Sequence, residues 1–133
     1  MVKIKSKKVT VNCSPEECFT FLSDMTNYEQ ILPEKDITDW ESSKDRCFFK
    51  IKKTYSLELL FESSTPFNII HIKSGPACPI KFTLDMTIEE NDSSCNAQLI
   101  CNADINPFLK MIIEKPLYYL FNYMADKLVA VKE

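Results

Sequence analysis

Residues 80–89 read Ile80-Lys-Phe-Thr-Leu-Asp-Met-Thr-Ile-Glu89, and this stretch decides the fold class. Apolar and polar side chains alternate along it without a break, which predicts a β-strand with one apolar face and one polar face. Such a strand is typical of an antiparallel sheet that covers a core on one side only. The polar residues 91–94 predict a turn into the next strand.

Similar segments, separated by turn residues, extend from this stretch in both directions. We predict the strands Asp36–Ser42, Arg46–Lys53, Ser56–Ser63, Asn68–Ser74, Ile80–Glu90 and Cys95–Ala103. The segment Val2–Val11 predicts one more strand, although its apolar phase changes between Ile4 and Val9. Either a bulge or a switch of the buried face accounts for that change. Because the connections are short, we expect one continuous, seven-stranded antiparallel sheet.

Two short helices are predicted between the first strand and the second. Ser14 is a good N-cap, Pro15 suits the first helical position and Glu17 completes a capping box. The first of these helices should end near Ser23, and residues 26–31 should form the second.

A long helix is predicted from Pro107 to Val131, because apolar residues recur there with a period of 3.6. Its apolar stripe consists of Leu109, Ile113, Leu117, Leu120, Met124, Leu128 and Val131. The sheet is the only other element large enough to cover this stripe. Pro116 lies inside the helix and should kink it. The predicted fold is therefore α+β, in the order strand, two short helices, six strands and a long helix.

Two segments carry a resemblance to a known family. The stretch Ser14-Pro-Glu-Glu-Cys-Phe-Thr-Phe-Leu-Ser-Asp24, followed by Asn27-Tyr28 and Ile31-Leu32-Pro33, resembles the START-like (SRPBCC, helix-grip) superfamily, and in particular its polyketide cyclase and coenzyme-Q-binding branch. The resemblance implies a curved sheet wrapped around the long helix with a cavity between them. Members bind lipids, sterols, polyketides or quinones, and they share no catalytic residue that could be transferred. The chain departs from its relatives in having a single glycine, Gly75.

Composition excludes several classes of function. The net charge of −3 argues against a nucleic-acid partner, and the lysines at positions 3, 5, 7 and 8 are interpreted as the solvated face of the first strand. No apolar run is long enough to span a bilayer, and the N-terminus lacks the apolar segment of a signal peptide. We expect a single domain, residues 1–133, in the cytoplasm, without integral membrane association.

The six cysteines are expected to be reduced and buried as small apolar residues. No pair has C-x-x-C spacing and His71 is the only histidine, so neither a zinc site nor another cofactor is expected. Phosphate-binding loops are excluded because they require several glycines.

The candidate ligand-binding residues are those expected on the inner face of the sheet and on the helix stripe, together with Trp40 and His71, which carry polar groups. They are Trp40, Phe49, Ile51, Leu59, Phe61, His71, Phe82, Leu84, Met86, Leu99, Cys101, Ile113, Leu117, Leu120 and Met124. His71 either faces the cavity or is a hydrogen-bonded or solvent-facing strand residue, and we favour the second. Pro116 and the loop 75–79 are candidates for controlling ligand access.

Three functions remain open at this point. The first is binding or carriage of a hydrophobic small molecule such as a lipid, quinone or polyketide-like ring. The second is a cyclase or dehydratase acting on a similar ligand, for which Asp39, Glu41 or Arg46 would have to point inward. The third is a protein-interaction module with an exposed apolar patch. No catalytic constellation is evident, so the first function is preferred.

Overall fold

The structure is a computed structural model that describes residues 2–132. Its strands are β1 Val2–Lys5, β2 Val9–Val11, β3 Ile37–Ser43, β4 Arg46–Ile51, β5 Tyr55–Thr65, β6 Ile69–Ser74, β7 Lys81–Asn91 and β8 Ser94–Asp104. The helices are α1 Pro15–Leu22, a 3-10 helix Met25–Gln30, and α2 Pro107–Val131. All the strands form one antiparallel sheet in the order β1-β8-β7-β6-β5-β4-β3, with β2 also paired to β8. The predicted helix-grip architecture is confirmed.

The described sheet has eight strands rather than the predicted seven because the first strand is divided in two. Lys5 pairs with Ile100 and Val9 pairs with Ala97. The three residues 6–8 therefore lie opposite only two residues of β8, 98 and 99. This extra residue is a bulge, and it explains the change of apolar phase. The buried Ser6 hydroxyl lies in the bulge and accepts a hydrogen bond from the Leu99 N–H at 2.9 Å.

The hairpin turns are made largely without glycine. Lys52, Lys53, Phe67 and Asp92 take positive φ values of 53°, 61°, 64° and 56°. Left-handed backbone costs a side-chain-bearing residue roughly 1 kcal/mol or more. The two lysines also explain why β4 ends at Ile51 instead of continuing to residue 53, as the sequence predicted.

The predicted Ser14 cap of α1 is confirmed, and Asp24 caps the 3-10 helix in the same way. The Ser14 hydroxyl accepts a hydrogen bond from the Glu17 N–H at 3.1 Å, and the Asp24 carboxylate accepts one from the Thr26 N–H at 3.0 Å. The Glu17 side chain lies 3.4 Å from the Lys132 ammonium at the far end of α2. The buried Tyr28 hydroxyl donates to the Leu22 carbonyl at 2.6 Å, which locks the 3-10 helix onto α1.

Helix α2 has the bounds that the sequence predicted and packs against β1, β2 and β8. Its buried residues all lie in its second half, and they are Leu120, Phe121, Met124, Ala125 and Leu128. The core therefore sits between the concave face of the sheet and the second half of α2, with α1 and the 3-10 helix packed beside it.

Candidate functional site

A small cavity lies between the concave face of the sheet and α2, where the sequence predicted a ligand site. Strands β4, β5, β7 and β8 form one wall, and the middle of α2 forms the other. The lining residues are Phe49, Leu57, Leu59, Phe82, Leu84, Cys101, Leu117, Leu120, Phe121 and Met124. Its volume is about 20 Å³, which is room for one water molecule.

The helix side chains close this cavity. Leu120, Phe121 and Met124 are buried against the sheet, whereas Leu117 is only half-buried. Because the wall offers a water molecule no hydrogen-bonding partners apart from a thiol, the space is apolar and should be dry. The site is thus an apolar core with a small packing defect, and a ligand needs more room than it now provides.

The structure brings about half of the predicted ligand-binding residues into this wall. Those that line the cavity are Phe49, Leu59, Phe82, Leu84, Cys101, Leu117, Leu120 and Met124. Leu57 and Phe121 also line it, although the sequence analysis did not select them for the site. A signal for each was present, since Leu57 alternates with Leu59 and Phe121 follows Leu117 by one helical turn.

Other predicted residues lie elsewhere. Met86 and Leu99 are buried outside the cavity lining, and the Met86 sulfur lies 3.5 Å from the Tyr28 hydroxyl. Ile51 and Ile113 are half-buried and do not line the cavity. Phe61 follows Leu57 and Leu59 on the inward face of β5, but its side chain is exposed.

His71 does not face the interior. It alternates along β6 with the buried residues Ile70 and Ile72, so its side chain lies on the opposite, convex face. There its Nδ1 lies 2.6 Å from a carboxylate oxygen of Asp85, the neighbouring residue on β7. His71 is the hydrogen-bonded strand residue that we favoured, and its selection as a cavity residue is corrected by the strand register.

Trp40 lies on the rim of a separate groove. A bulge in β3 places both Asp39 and Trp40 opposite Phe49, and Asp39 takes a positive φ of 58°. The Trp40 ring stacks on the Phe49 ring with 5.9 Å between the centroids. Since Phe49 lines the cavity and Trp40 lines the groove, the stacked pair separates the two spaces. The groove has a volume of about 460 Å³ and runs between the 3-10 helix, β3 and α2.

The loop 75–79 does not border the cavity. It folds over the outer face of β5, where Glu58 accepts hydrogen bonds from the Ala77 N–H at 3.1 Å and the Arg46 Nε at 2.7 Å. These two bonds hold the pKa of the Glu58 carboxyl below its usual range. A Cβ on Gly75 would overlap the Glu58 side chain, so a larger residue there would displace this carboxylate from its hydrogen bonds. The expected role of the loop in ligand access is therefore not supported by its position.

The only titratable group on the cavity wall, within the described residues, is the thiol of Cys101. Burial raises its pKa to about 12, so the thiol stays protonated near neutral pH. Of the polar residues considered for acid–base chemistry, Arg46 pairs with Glu58 and approaches Glu41 on the outer face, and Asp39 lies in the exposed groove. None of them reaches the cavity.

Two neighbouring cysteines, Cys13 and Cys18, meet a third that is distant in sequence, Cys95. The sulfur atoms of Cys13, Cys18 and Cys95 all lie within 4.8 Å of one another, and all three residues are buried. Burial is the largest cause that raises the pKa of Cys13 to about 11, and it raises the pKa of Cys18 further. The cluster was not predicted, because no pair of these residues has C-x-x-C spacing and Cys95 lies far along the chain from the other two. All three are buried and pack as small apolar side chains.

Within residues 2–132, no helix has both the length and the apolar character needed to cross a bilayer. Helix α2 is long enough, but lysines, one glutamate and one aspartate interrupt its apolar residues.

Comparison with known proteins supports the fold and leaves the ligand open. No family model and no curated protein matches the chain. Among solved structures, it is similar to a START superfamily protein from Mycobacterium smegmatis, with 14% identity over 98% of this chain and 96% of the other, and a TM-score of 0.71. It is also similar to norcoclaurine synthase from Thalictrum flavum, with 12% identity over 98% of this chain and 85% of the other, and a TM-score of 0.75.

A third similar structure is the di-domain ARO/CYC protein BexL from the BE-7585A biosynthetic pathway. The identity is 9%, over 96% of this chain and 46% of the other, and the TM-score is 0.67. At such low identities these likenesses establish the fold alone. The resemblance to the START-like superfamily, inferred from residues 14–33, is thereby confirmed at the level of the fold.

Proposed function

We propose that this protein binds and carries a hydrophobic small molecule between the concave face of its sheet and α2. One observation carries the proposal. The interior surface at this point is continuous and apolar, and its helix wall changes from buried at Leu120 to half-buried at Leu117 and Ile113. A ligand of apolar or ring character matches that surface, because nothing on it requires a polar partner.

Binding requires the site to open. Drug-sized ligands occupy roughly 300–1,000 Å³, whereas the closed cavity measures about 20 Å³. The first half of α2 is the part that can move, since Leu109, Ile113 and Leu117 are only half-buried and separating them from the sheet exposes less apolar surface than detaching the second half. Rotation of the stacked Trp40 and Phe49 rings would join the cavity to the neighbouring groove.

The chemistry of the cavity wall favours a carrier over an enzyme. Cyclase-type chemistry needs a group that transfers protons near neutral pH. The Cys101 thiol, with a pKa of about 12, is too weak an acid for that role. Two of the similar structures carry names of biosynthetic proteins, and this keeps the cyclase as the alternative that the following experiment also tests.

The experiment measures binding of cis-parinaric acid, whose fluorescence rises in an apolar site, to the purified protein and two variants. Leu120→Ala removes a side chain from the cavity wall, so we expect tighter binding than in the parent protein. Leu120→Trp fills the same space and should abolish binding. Native mass spectrometry of the purified protein, before any probe is added, identifies a ligand that it already carries.

Leu128→Ala is the matched control. Leu128 is a buried leucine on the same helix, and it does not line the cavity. Both alanine variants should lose about 2–5 kcal/mol of stability, so a difference in binding reports the cavity and not general loosening. Equal binding by Leu120→Ala and Leu128→Ala would contradict the proposal, as would strong binding by a folded Leu120→Trp protein. Turnover of a co-purified ligand would instead support the cyclase.

A further inference from the structure

The first half of α2 carries apolar side chains on two faces. One face holds the half-buried stripe that turns toward the sheet. The other face holds large apolar residues that project into solvent, and we name these residues the α2 outer patch: Phe108, Met111, Ile112, Tyr118 and Tyr119.

The members of the α2 outer patch lie close together on the helix surface. Phe108, Met111 and Ile112 are spaced by three and four residues, and Tyr119 follows two turns later, so they share one face. Phe108 is 74% exposed and Met111 is 82% exposed. Isolated exposed apolar residues are ordinary, but a contiguous group of this kind marks a surface that binds something.

Lysines surround the patch. Lys3 and Lys5 project from β1 beside Lys115 and Tyr118, where the four residues line one shallow depression with Ile4 and Glu114. Lys110, two residues from both Phe108 and Ile112, lies on the opposite side of α2 and forms an ion pair with Glu114 at 3.7 Å. Within residues 2–132, Lys3, Lys5 and Lys115 make no ion pair. Three lysines against one glutamate make this face basic in a chain whose net charge is −3.

The geometry points to the surface of an anionic lipid bilayer as the partner of the α2 outer patch. Helices that lie in the bilayer interface insert an apolar face and place lysines beside the lipid headgroups. Tyrosine suits the same boundary because its ring is apolar and its hydroxyl is polar. Phe108, Met111 and Ile112 would enter the acyl region, and the lysines would contact anionic headgroups.

A second copy of this chain fits the same surface less well. A two-fold dimer through the patch would place the same face on both partners, so the lysines of one copy would approach those of the other. Like charges brought together in this way oppose association. A bilayer with negative headgroups has the complementary charge, and this complementarity decides between the two occupants.

Docking in this way does not depend on the proposed function, although it would place the movable half of α2 and the apolar cavity next to the bilayer. A protein that carries no ligand could still dock. The experiment therefore measures membrane binding directly, without any probe of the cavity.

The test is cosedimentation of the full chain with sucrose-loaded vesicles. One set contains phosphatidylcholine with about 30% phosphatidylserine, and the other contains phosphatidylcholine alone. We expect binding to the anionic vesicles, much weaker binding to the neutral ones, and a loss of binding as salt is raised. The double variant Phe108→Ala, Met111→Ala should lower the partition coefficient about tenfold or more. Lys115→Glu should lower it on anionic vesicles only.

The β4–β5 hairpin offers matched controls, because it also presents an exposed aromatic residue beside exposed lysines. Tyr55→Ala and Lys53→Glu change the same kinds of side chain and the same net charge, far from α2 in sequence. Both should leave vesicle binding unchanged. Circular dichroism checks that every variant is folded.

Three outcomes would overturn the inference. One is a folded protein that fails to sediment with anionic vesicles at low salt. Another is a Tyr55→Ala variant that loses as much binding as the Phe108 and Met111 double variant. The third is a stable dimer in sedimentation velocity that Met111→Asp dissociates, since the patch would then be a subunit interface.

Discussion

The two halves of α2 continue one helix and yet have opposite surroundings. In the second half, Phe121 is 4% exposed and Met124 is 2% exposed. In the first half, the corresponding residue types, Phe108 and Met111, are among the most exposed apolar side chains of the described chain. The same residue types therefore build the core at one end of the helix and a surface at the other.

The polar contacts of the two halves of α2 differ in the same way. Around the second half, the Lys7 N–H donates to the Asn122 side chain at 2.7 Å and the Lys7 ammonium pairs with Asp126 at 2.8 Å. At the end of the helix, the Lys132 ammonium lies 4.6 Å from the centre of the Phe21 ring. The side-chain ion pair in the first half, between Lys110 and Glu114, stays within the helix. The second half is thus tied to the rest of the molecule, whereas the first half is held mainly by the half-buried stripe.

The largest expected effect comes from a matched pair of phenylalanine substitutions. Phe121→Ala removes a buried ring and should lower the free energy of unfolding by about 3–5 kcal/mol. Phe108→Ala removes an exposed ring and should change it by less than about 0.5 kcal/mol. Urea denaturation followed by circular dichroism measures both. Equal losses in the two variants would mean that the first half of α2 is packed as firmly as the second.

An intermediate effect is expected at Pro116, which lies between the halves. Helix α2 runs through Pro116, whose missing N–H leaves the Ile112 carbonyl without its helical partner. Pro116→Ala restores that hydrogen bond and should stabilise the helix by roughly 3 kcal/mol. Because the unfolded chain is freer without the proline, about 1 kcal/mol of this gain is lost. Amide hydrogen exchange should therefore slow in the first half of α2 by a factor that corresponds to about 1–2 kcal/mol.

The control for this measurement is the exchange of amides in the second half. Those amides are protected by core packing, so Pro116→Ala should slow their exchange less than that of residues 108–116. If exchange slows uniformly along α2, the helix opens as one unit. The first half could then not move separately to admit a ligand.

The smallest effects are expected from the exposed ion pairs. Asp126→Asn breaks the pair with Lys7, which joins α2 to the segment between β1 and β2, and should cost less than about 1 kcal/mol. Glu114→Gln breaks the pair with Lys110 and should cost only about 0.3–0.5 kcal/mol, which is typical of partners four residues apart on a helix. Thermal unfolding at low and high salt distinguishes these ion-pair effects from packing effects, because high salt should reduce the stability loss of both variants. A larger loss for Glu114→Gln than for Asp126→Asn would reverse the proposed order.

Local signals predicted most of the fold. The bounds of α2 were predicted correctly because apolar residues recur with a period of 3.6 from Leu109 to Val131. The Ser14 cap and the alternation through β7 were equally reliable. The strand ends were predicted less reliably, because no local pattern indicated that Lys52 and Lys53 would take left-handed backbone.

The candidate site was predicted in part. Strand alternation identified Phe82 and Leu84 as wall residues, and the helical period identified Leu120 and Met124. His71 was among the candidates, but its alternation with the buried Ile70 and Ile72 places it on the convex face opposite Asp85, in agreement with the interpretation that was favoured. The outer patch was not predicted, since a helical stripe shows which side faces the sheet and does not show how much of the helix the sheet covers.

By itself, the sequence determined the order of the elements, the caps and the faces that turn inward. These properties depend on residues within a few positions of one another, and so they can be read along the chain. Tertiary packing alone sets the small size of the cavity, the meeting of Cys95 with Cys13 and Cys18, and the uncovered half of α2. Each of these depends on the sizes and positions of side chains from segments far apart in sequence, and no local pattern records how well such segments fill the space between them.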